Sequence, residues 1–111
     1  MLPKLYRINK SKEYHHTYNY GLKIPGKYLV VYILKSKILN NRFGIVASKR
    51  VGNAVKRNRA RRRISAIVRG SEQELKQGYN IIIIARQQIN KCEYKELIKD
   101  FYTVMKKARL C

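Results

Sequence analysis

Ser48-Lys49-Arg50-Val51-Gly52-Asn53-Ala54-Val55-Lys56-Arg57-Asn58-Arg59-Ala60-Arg61-Arg62-Arg63-Ile64-Ser65-Ala66-Ile67-Val68-Arg69 is the stretch that organises the chain, with many cations and no acid. Gly52 and Asn53 form a break just before apolar residues take up helical spacing. Asn53 is therefore predicted to be an N-cap, its side-chain oxygen accepting a bond from an orphan backbone N–H. At roughly 100° per residue, Ala60, Ile64, Ile67 and Val68 share one face, while Asn58, Arg59, Arg62, Arg63 and Arg69 point broadly the other way. One side packs and the other stays charged. Lys56 and Arg57 sit in the first turn, where the positive end of the helix dipole disfavours each cation by about 0.3 kcal/mol or more. An anion at that end relieves the repulsion and meets free backbone donors, which makes a phosphate backbone the natural partner.

A solvated basic face is the plainer alternative, and most Lys-rich helices are that. This cluster lacks the interspersed Asp and Glu that solubility helices use. Arg also outnumbers Lys within it, and a planar guanidinium binds phosphate through two donors or stacks on a base, where an ammonium offers a point charge. The pattern suits folded RNA.

The whole chain bears the same stamp. Its 111 residues amount to about one domain, and Lys plus Arg number 26 against 6 Asp plus Glu, a formal charge of +20 that a polyanion would neutralise. No apolar run is long enough to span a bilayer, and the cations are not confined to an amphipathic segment, so membrane binding is a minor alternative. The N-terminal residues lack the apolar core of a secretory signal, which predicts a cytoplasmic protein. Cys92 and Cys111 are isolated and fit no familiar zinc spacing; reduced, incidental thiols are the better reading.

In order along the chain, residues 2–10 read as an extended, mobile lead-in, and a short helix starts at Asn9 or Ser11 and ends near Gly21. Tyr14, Thr17 and Tyr18 share one of its faces by their i, i+3, i+4 spacing, a pattern that more often signifies packing than recognition. Residues 27–35 read as a strand with Tyr28, Val30 and Tyr32 on one side and Leu29, Val31 and Ile33 on the other. A turn at Asn40-Asn41 and a second strand over 42–48 predict a hairpin. The basic helix follows, then a connection from Gly70 to Gly78. Ile81-Ile82-Ile83-Ile84 marks a central buried strand, 86–91 a loop, and 93–109 an amphipathic helix with Tyr94, Leu97, Ile98, Phe101 and Met105 inward. Helices layered on a sheet make an α+β domain, whose strand-helix-strand crossover would by default be right-handed.

The run Lys49 to Arg59, with Arg57-Asn58-Arg59 at its centre and Arg61, Arg62 and Arg63 after it, resembles the signature of the bacterial ribonuclease P protein subunit. Gly-Asn-Ala-Val before the triplet and the basic helix after it make the match specific, and the likeness extends over nearly the whole chain. The resemblance implies one domain over 1–111 and a left-handed crossover made by the basic helix. It implies a ribonucleoprotein endonuclease in which a large RNA performs magnesium-dependent hydrolysis, releasing the 5′ leader of precursor tRNA. By the same resemblance, Arg57, Asn58, Arg59, Arg61, Arg62 and Arg63, with Lys49, Arg50, Asn53 and Lys56 nearby, contact the catalytic RNA. Tyr14, Tyr18 and Tyr32 hold the leader, the first two at positions where the family often has Phe. Mg2+ serves the holoenzyme, and no obligate protein partner is implied.

The residues themselves argue for binding, not cutting. Glu13, Glu72, Glu74, Glu93, Glu96 and Asp100 are scattered, and surface charge or helix-start pairing accounts for Glu93 and Glu96 more simply than a two-metal site. His15 and His16 are adjacent, so on a helix they point roughly 100° apart and cannot easily flank one phosphate. A ribosome-associated or RNA-chaperone protein, and more weakly a DNA-compacting one, would share the charge and the missing catalytic groups.

Overall fold

In the computed structural model, which describes residues 2–111, Ile81, Ile82 and Ile83 are wholly buried at the middle of a four-stranded sheet. Met1, included in the one-domain expectation for 1–111, lies outside the described residues. The elements are α1 (Ser11–Tyr20), β1 (Leu22–Pro25), β2 (Leu29–Lys35), β3 (Arg42–Val46), α2 (Ala54–Ser71), β4 (Tyr79–Ala85) and α3 (Tyr94–Lys107). Short 3-10 turns lie at Lys4–Tyr6, Glu72–Glu74 and Gln87–Lys91. The sheet order is β1-β2-β4-β3, with β3 and β4 parallel and the other pairs antiparallel. Three helices on a mixed sheet are the expected α+β class, and α2 is the crossover between the parallel neighbours.

Side chains alternate along each strand, so the sheet has two different faces. One carries Leu29, Val31, Ile33, Phe43, Ile81 and Ile83, and packs against Ile64, Ile67 and Val68 of α2 and Leu97, Phe101, Val104 and Met105 of α3. Each such aliphatic side chain, fully buried, contributes about 1.5–3 kcal/mol. The opposite face carries Tyr32, Ile82 and Gly44, and α1 lies across it.

The structure departs from the sequence expectations at five points. β2 and β3 do not form a hairpin, because β4 sits between them: it pairs Tyr32 with Ile82 on one side and Gly44 on the other. A run of isoleucines buried on both faces outcompetes the local turn for the central position. The lead-in is docked; Leu2 and Ile8 are buried, and the Ile8 N–H donates to Phe43 O at 3.0 Å, giving edge strand β3 a partner. β1 was not anticipated at all. α2 runs through Gly70 to Ser71 before the connection begins, and Tyr94, the first residue of α3, is exposed.

The hairpin β1–β2 is tied to the last helix by one carboxylate. Asp100 accepts the backbone N–H groups of Lys27 at 2.9 Å, Tyr28 at 2.8 Å and Leu29 at 3.2 Å. α3 starts with a reciprocal capping box: the Glu96 carboxylate accepts the Glu93 N–H at 2.9 Å, which holds Glu96 below the ordinary carboxylate range.

Candidate nucleic-acid interface

Gly52 opens the basic helix with φ +140°, where a Cβ would meet the Lys56 side chain at 2.7 Å. Asn53 then caps it as the spacing predicts, its Oδ1 accepting the Lys56 N–H at 3.0 Å. From this fixed start Lys49, Arg50, Asn53, Lys56, Asn58, Arg59 and Arg62 are exposed and Arg57 is half-buried. The ion pairs among the described residues are Glu13 with Arg42 and Glu93 with Lys95, so no acid offsets this surface. Val55 stands among the cations 73% exposed, an apolar side chain that its charged surroundings hid in the sequence.

Arg61 and Arg63 differ from their neighbours. Arg61 donates to Ala47 O and to Asn58 Oδ1, both at 3.1 Å. Arg63 donates to Ile89 O at 3.1 Å and Cys92 O at 2.8 Å. Both guanidinium groups are half-buried and spend donors inside the protein. The helical wheel placed Arg63 on the charged side but could not show the carbonyls of a distant turn.

The three tyrosines come together from two elements. α1 is fixed across the sheet by the ion pair of Glu13 with Arg42 and by buried Thr17. Gly44 leaves room for Tyr14, since a Cβ there would lie 2.5 Å from the Tyr14 hydroxyl. Tyr18 stands between the other two, its ring centroid 6.5 Å from Tyr14 and 4.9 Å, edge-on, from Tyr32. Burial raises the Tyr14 pKa, and burial together with the adjacent Tyr14 and Tyr32 raises that of Tyr18, so both hydroxyls stay neutral well into alkaline solution.

A groove of about 610 Å³ continues along this face of the sheet, with Val30 and Ile84 on its floor and Lys23, Ser48, Arg50, Arg86, Gln87 and Gln88 around it. Lys23 joins groove to cluster: its ammonium is 5.9 Å from the Tyr32 centroid. Sequence reasoning reached Arg50 but missed Lys23, Arg86, Gln87 and Gln88. Lys23 lies on the unanticipated edge strand; the available signal for Arg86 was its place directly after the central strand.

Five of the six carboxylates do other work. Glu13 pairs with Arg42, Glu74 accepts the Tyr102 hydroxyl at 2.6 Å, Glu93 and Glu96 cap α3, and Asp100 holds the β1–β2 turn. Among the described residues no three His, Cys, Asp or Glu side chains converge as metal ligands, and no helix is long and apolar enough to cross a membrane.

The family model described as Ribonuclease P matches residues 2–109. The chain is 38% identical over 110 residues to the ribonuclease P protein component of Syntrophomonas wolfei, covering 99% of this chain and 92% of that one. It is similar to a Staphylococcus aureus RNase P protein mutant with defective mRNA degradation activity, at 30% identity and TM-score 0.89, covering 97% and 92% of the two chains. The RNase P protein of Thermotoga maritima shares the fold with a TM-score of 0.83 at 21% identity, over 91% and 96%.

Proposed function

The chain belongs to the ribonuclease P protein family, and from that premise we propose which of its surfaces meets which RNA. It is the protein subunit of ribonuclease P, the ribonucleoprotein endonuclease of tRNA 5′-end maturation, in which the RNA carries catalysis. The whole chain, 1–111, acts as one domain in the cytoplasm, with the catalytic RNA and precursor tRNA as partners and no obligate second protein. Lys49, Arg50, Asn53, Lys56, Arg57, Asn58, Arg59 and Arg62 contact the catalytic RNA; Arg61, half engaged with Ala47, has donors left to join them, whereas Arg63, which the resemblance also assigns to that RNA, is set apart because its guanidinium is taken up by the Ile89 and Cys92 carbonyls. Tyr14, Tyr18 and Tyr32 stack bases of the 5′ leader, and the adjoining groove carries its backbone past Lys23, Arg50 and Arg86.

One observation carries this map: the tyrosine cluster opens on a groove whose rim includes the start of the uncompensated basic segment. Stacking faces beside a cationic track are what a single strand needs, and guanidinium donors beside it suit a folded RNA's phosphates. Among the described residues no three carboxylate, His or Cys side chains converge as ligands for Mg2+, and we place the magnesium of the holoenzyme with the RNA. Neutralising phosphate repulsion lowers the magnesium that the RNA needs.

The test is cleavage of precursor tRNA at low magnesium by the protein alone, the cognate RNA alone and the two together. Strong stimulation of the RNA by an inactive protein is the expected result, and no stimulation by folded protein overturns the reading. The Staphylococcus aureus relative is associated with mRNA degradation; incubating the protein alone with an mRNA shows whether this chain has such an activity.

A further inference from the structure

Arg63 lies inside the basic run, yet its donors end on the carbonyls of Ile89 and Cys92 and on the Cys92 sulfur, within and just after the 3-10 turn Gln87–Lys91. A second tie runs the same way: Asn90 Nδ2 donates to Val51 O at 2.6 Å, two residues before the α2 N-cap. Ile89 is buried beneath the turn, while Gln87 and Gln88 are exposed and line the groove that Ser48 and Arg50 also border. The turn thus has an anchored side and a working side. Its anchor is the helix whose outer face carries the free cations.

We propose that Arg63 is a positioning residue that holds the Gln87–Lys91 turn against α2 and so sets the wall of the leader groove. The proposal rests on the reading that this groove takes the leader. The two carbonyls are met by two separate nitrogens of one rigid guanidinium, Nη1 and Nη2, whereas the three donors of a lysine ammonium all radiate from a single atom on a flexible stem and do not reproduce that fork. Charge alone is therefore insufficient at this position, whereas at a phosphate contact Lys substitutes in part. Through this clamp, the helix bound to the catalytic RNA and the loop facing the substrate move as one body.

The experiment compares full-length Arg63→Lys, Asn90→Ala and Arg62→Ala, each checked for folding by thermal denaturation. Two readouts are needed: amide hydrogen exchange in the free protein, and holoenzyme affinity for precursor tRNA, mature tRNA and, across a salt series, the catalytic RNA. For Arg63→Lys and Asn90→Ala, exchange over 87–92 is expected to accelerate while that of α2 holds. The affinity advantage of precursor over mature tRNA should fall, with catalytic-RNA affinity near wild type. Arg62→Ala should show the reverse pattern, a loss for the catalytic RNA and a smaller salt slope. If Arg63→Lys leaves exchange over 87–92 unchanged, or if exchange accelerates while the precursor advantage stays intact, the positioning role is wrong. A wild-type holoenzyme with no precursor advantage would instead refute the groove reading, leaving the exchange result to judge the clamp alone.

Discussion

Replacing Tyr18 with alanine removes the middle ring of the cluster. One edge contact is committed to Tyr32 at 4.9 Å, and Tyr14 lies farther off at 6.5 Å, so one base stack is the most that Tyr18 offers a strand. Losing a base–aromatic stack costs about 1–3 kcal/mol, which at 1.4 kcal/mol per tenfold is about a 5- to 150-fold loss of affinity. Because part of the ring is already packed, the lower half of that range is expected. The fold loses an edge-to-face pair worth about 0.5–1.5 kcal/mol, visible as a lower Tm and not as a change in substrate choice. The assay is competition binding of precursor and mature tRNA to the reconstituted holoenzyme at fixed salt. Tyr18→Phe is the control: the Tyr18 hydroxyl has no hydrogen-bond partner among the described residues, and Phe preserves the stacking face. Equal weakening of mature and precursor tRNA by Tyr18→Ala, in a folded protein, would refute the leader role and return the tyrosines to the core.

Other outcomes follow from the same geometry. Arg59→Ala and Arg62→Ala should each weaken catalytic-RNA binding and lower the logarithmic salt slope by about 0.7–0.9 per lost phosphate contact; an unchanged slope in a salt titration contradicts the placement of α2. Gly44→Ala forces a methyl into the Tyr14 ring and should destabilise the protein by about 1–3 kcal/mol in urea unfolding, as overpacking does. It should also weaken precursor binding selectively, and retained selectivity would show that Tyr14 does not need its seat on β3. Asp100→Ala strands three backbone donors and should cost about 3 kcal/mol or more by the same unfolding assay; a shift under 1 kcal/mol, roughly a single neutral bond, would mean that water replaces the carboxylate without loss.

What the sequence revealed divides along the range of the interactions. Asn53 as a cap, the Ala60, Ile64, Ile67 and Val68 stripe, and the division of β2 into two sides all follow from residues within a few positions of one another, and the structure bears each of them out, with Leu29, Val31 and Ile33 as the buried side that the spacing alone did not choose. The β2–β3 hairpin failed because strand pairing is decided by burial across the whole sheet, and Ile81–Ile83 claim the centre. β1 escaped notice because it is four residues ending in Pro, with Ile24 its single buried side chain; such a strand exists through its neighbour, not through its own pattern. At the candidate site, family resemblance singled out the three tyrosines, while spacing alone paired only Tyr14 with Tyr18. Arg63 looked like its neighbours because nothing local distinguishes an arginine that will meet phosphate from one that will meet a carbonyl 26 residues away.

The central position of β4 also has a consequence in time. A ribosome makes the tyrosines, the hairpin and the entire basic stretch before it reaches Tyr79, and until then β2 and β3 have no strand to join them. β3 would have only its short bridge to the N-terminal segment, and the isoleucine ladder that buries one face of α2 would be missing. A nascent chain halted before that point is a polycation with the tyrosines and the basic stretch made and no complete sheet to align them, attached to a particle itself rich in RNA. Seven residues, Tyr79–Ala85, separate that charged, unassembled chain from one whose sheet is complete.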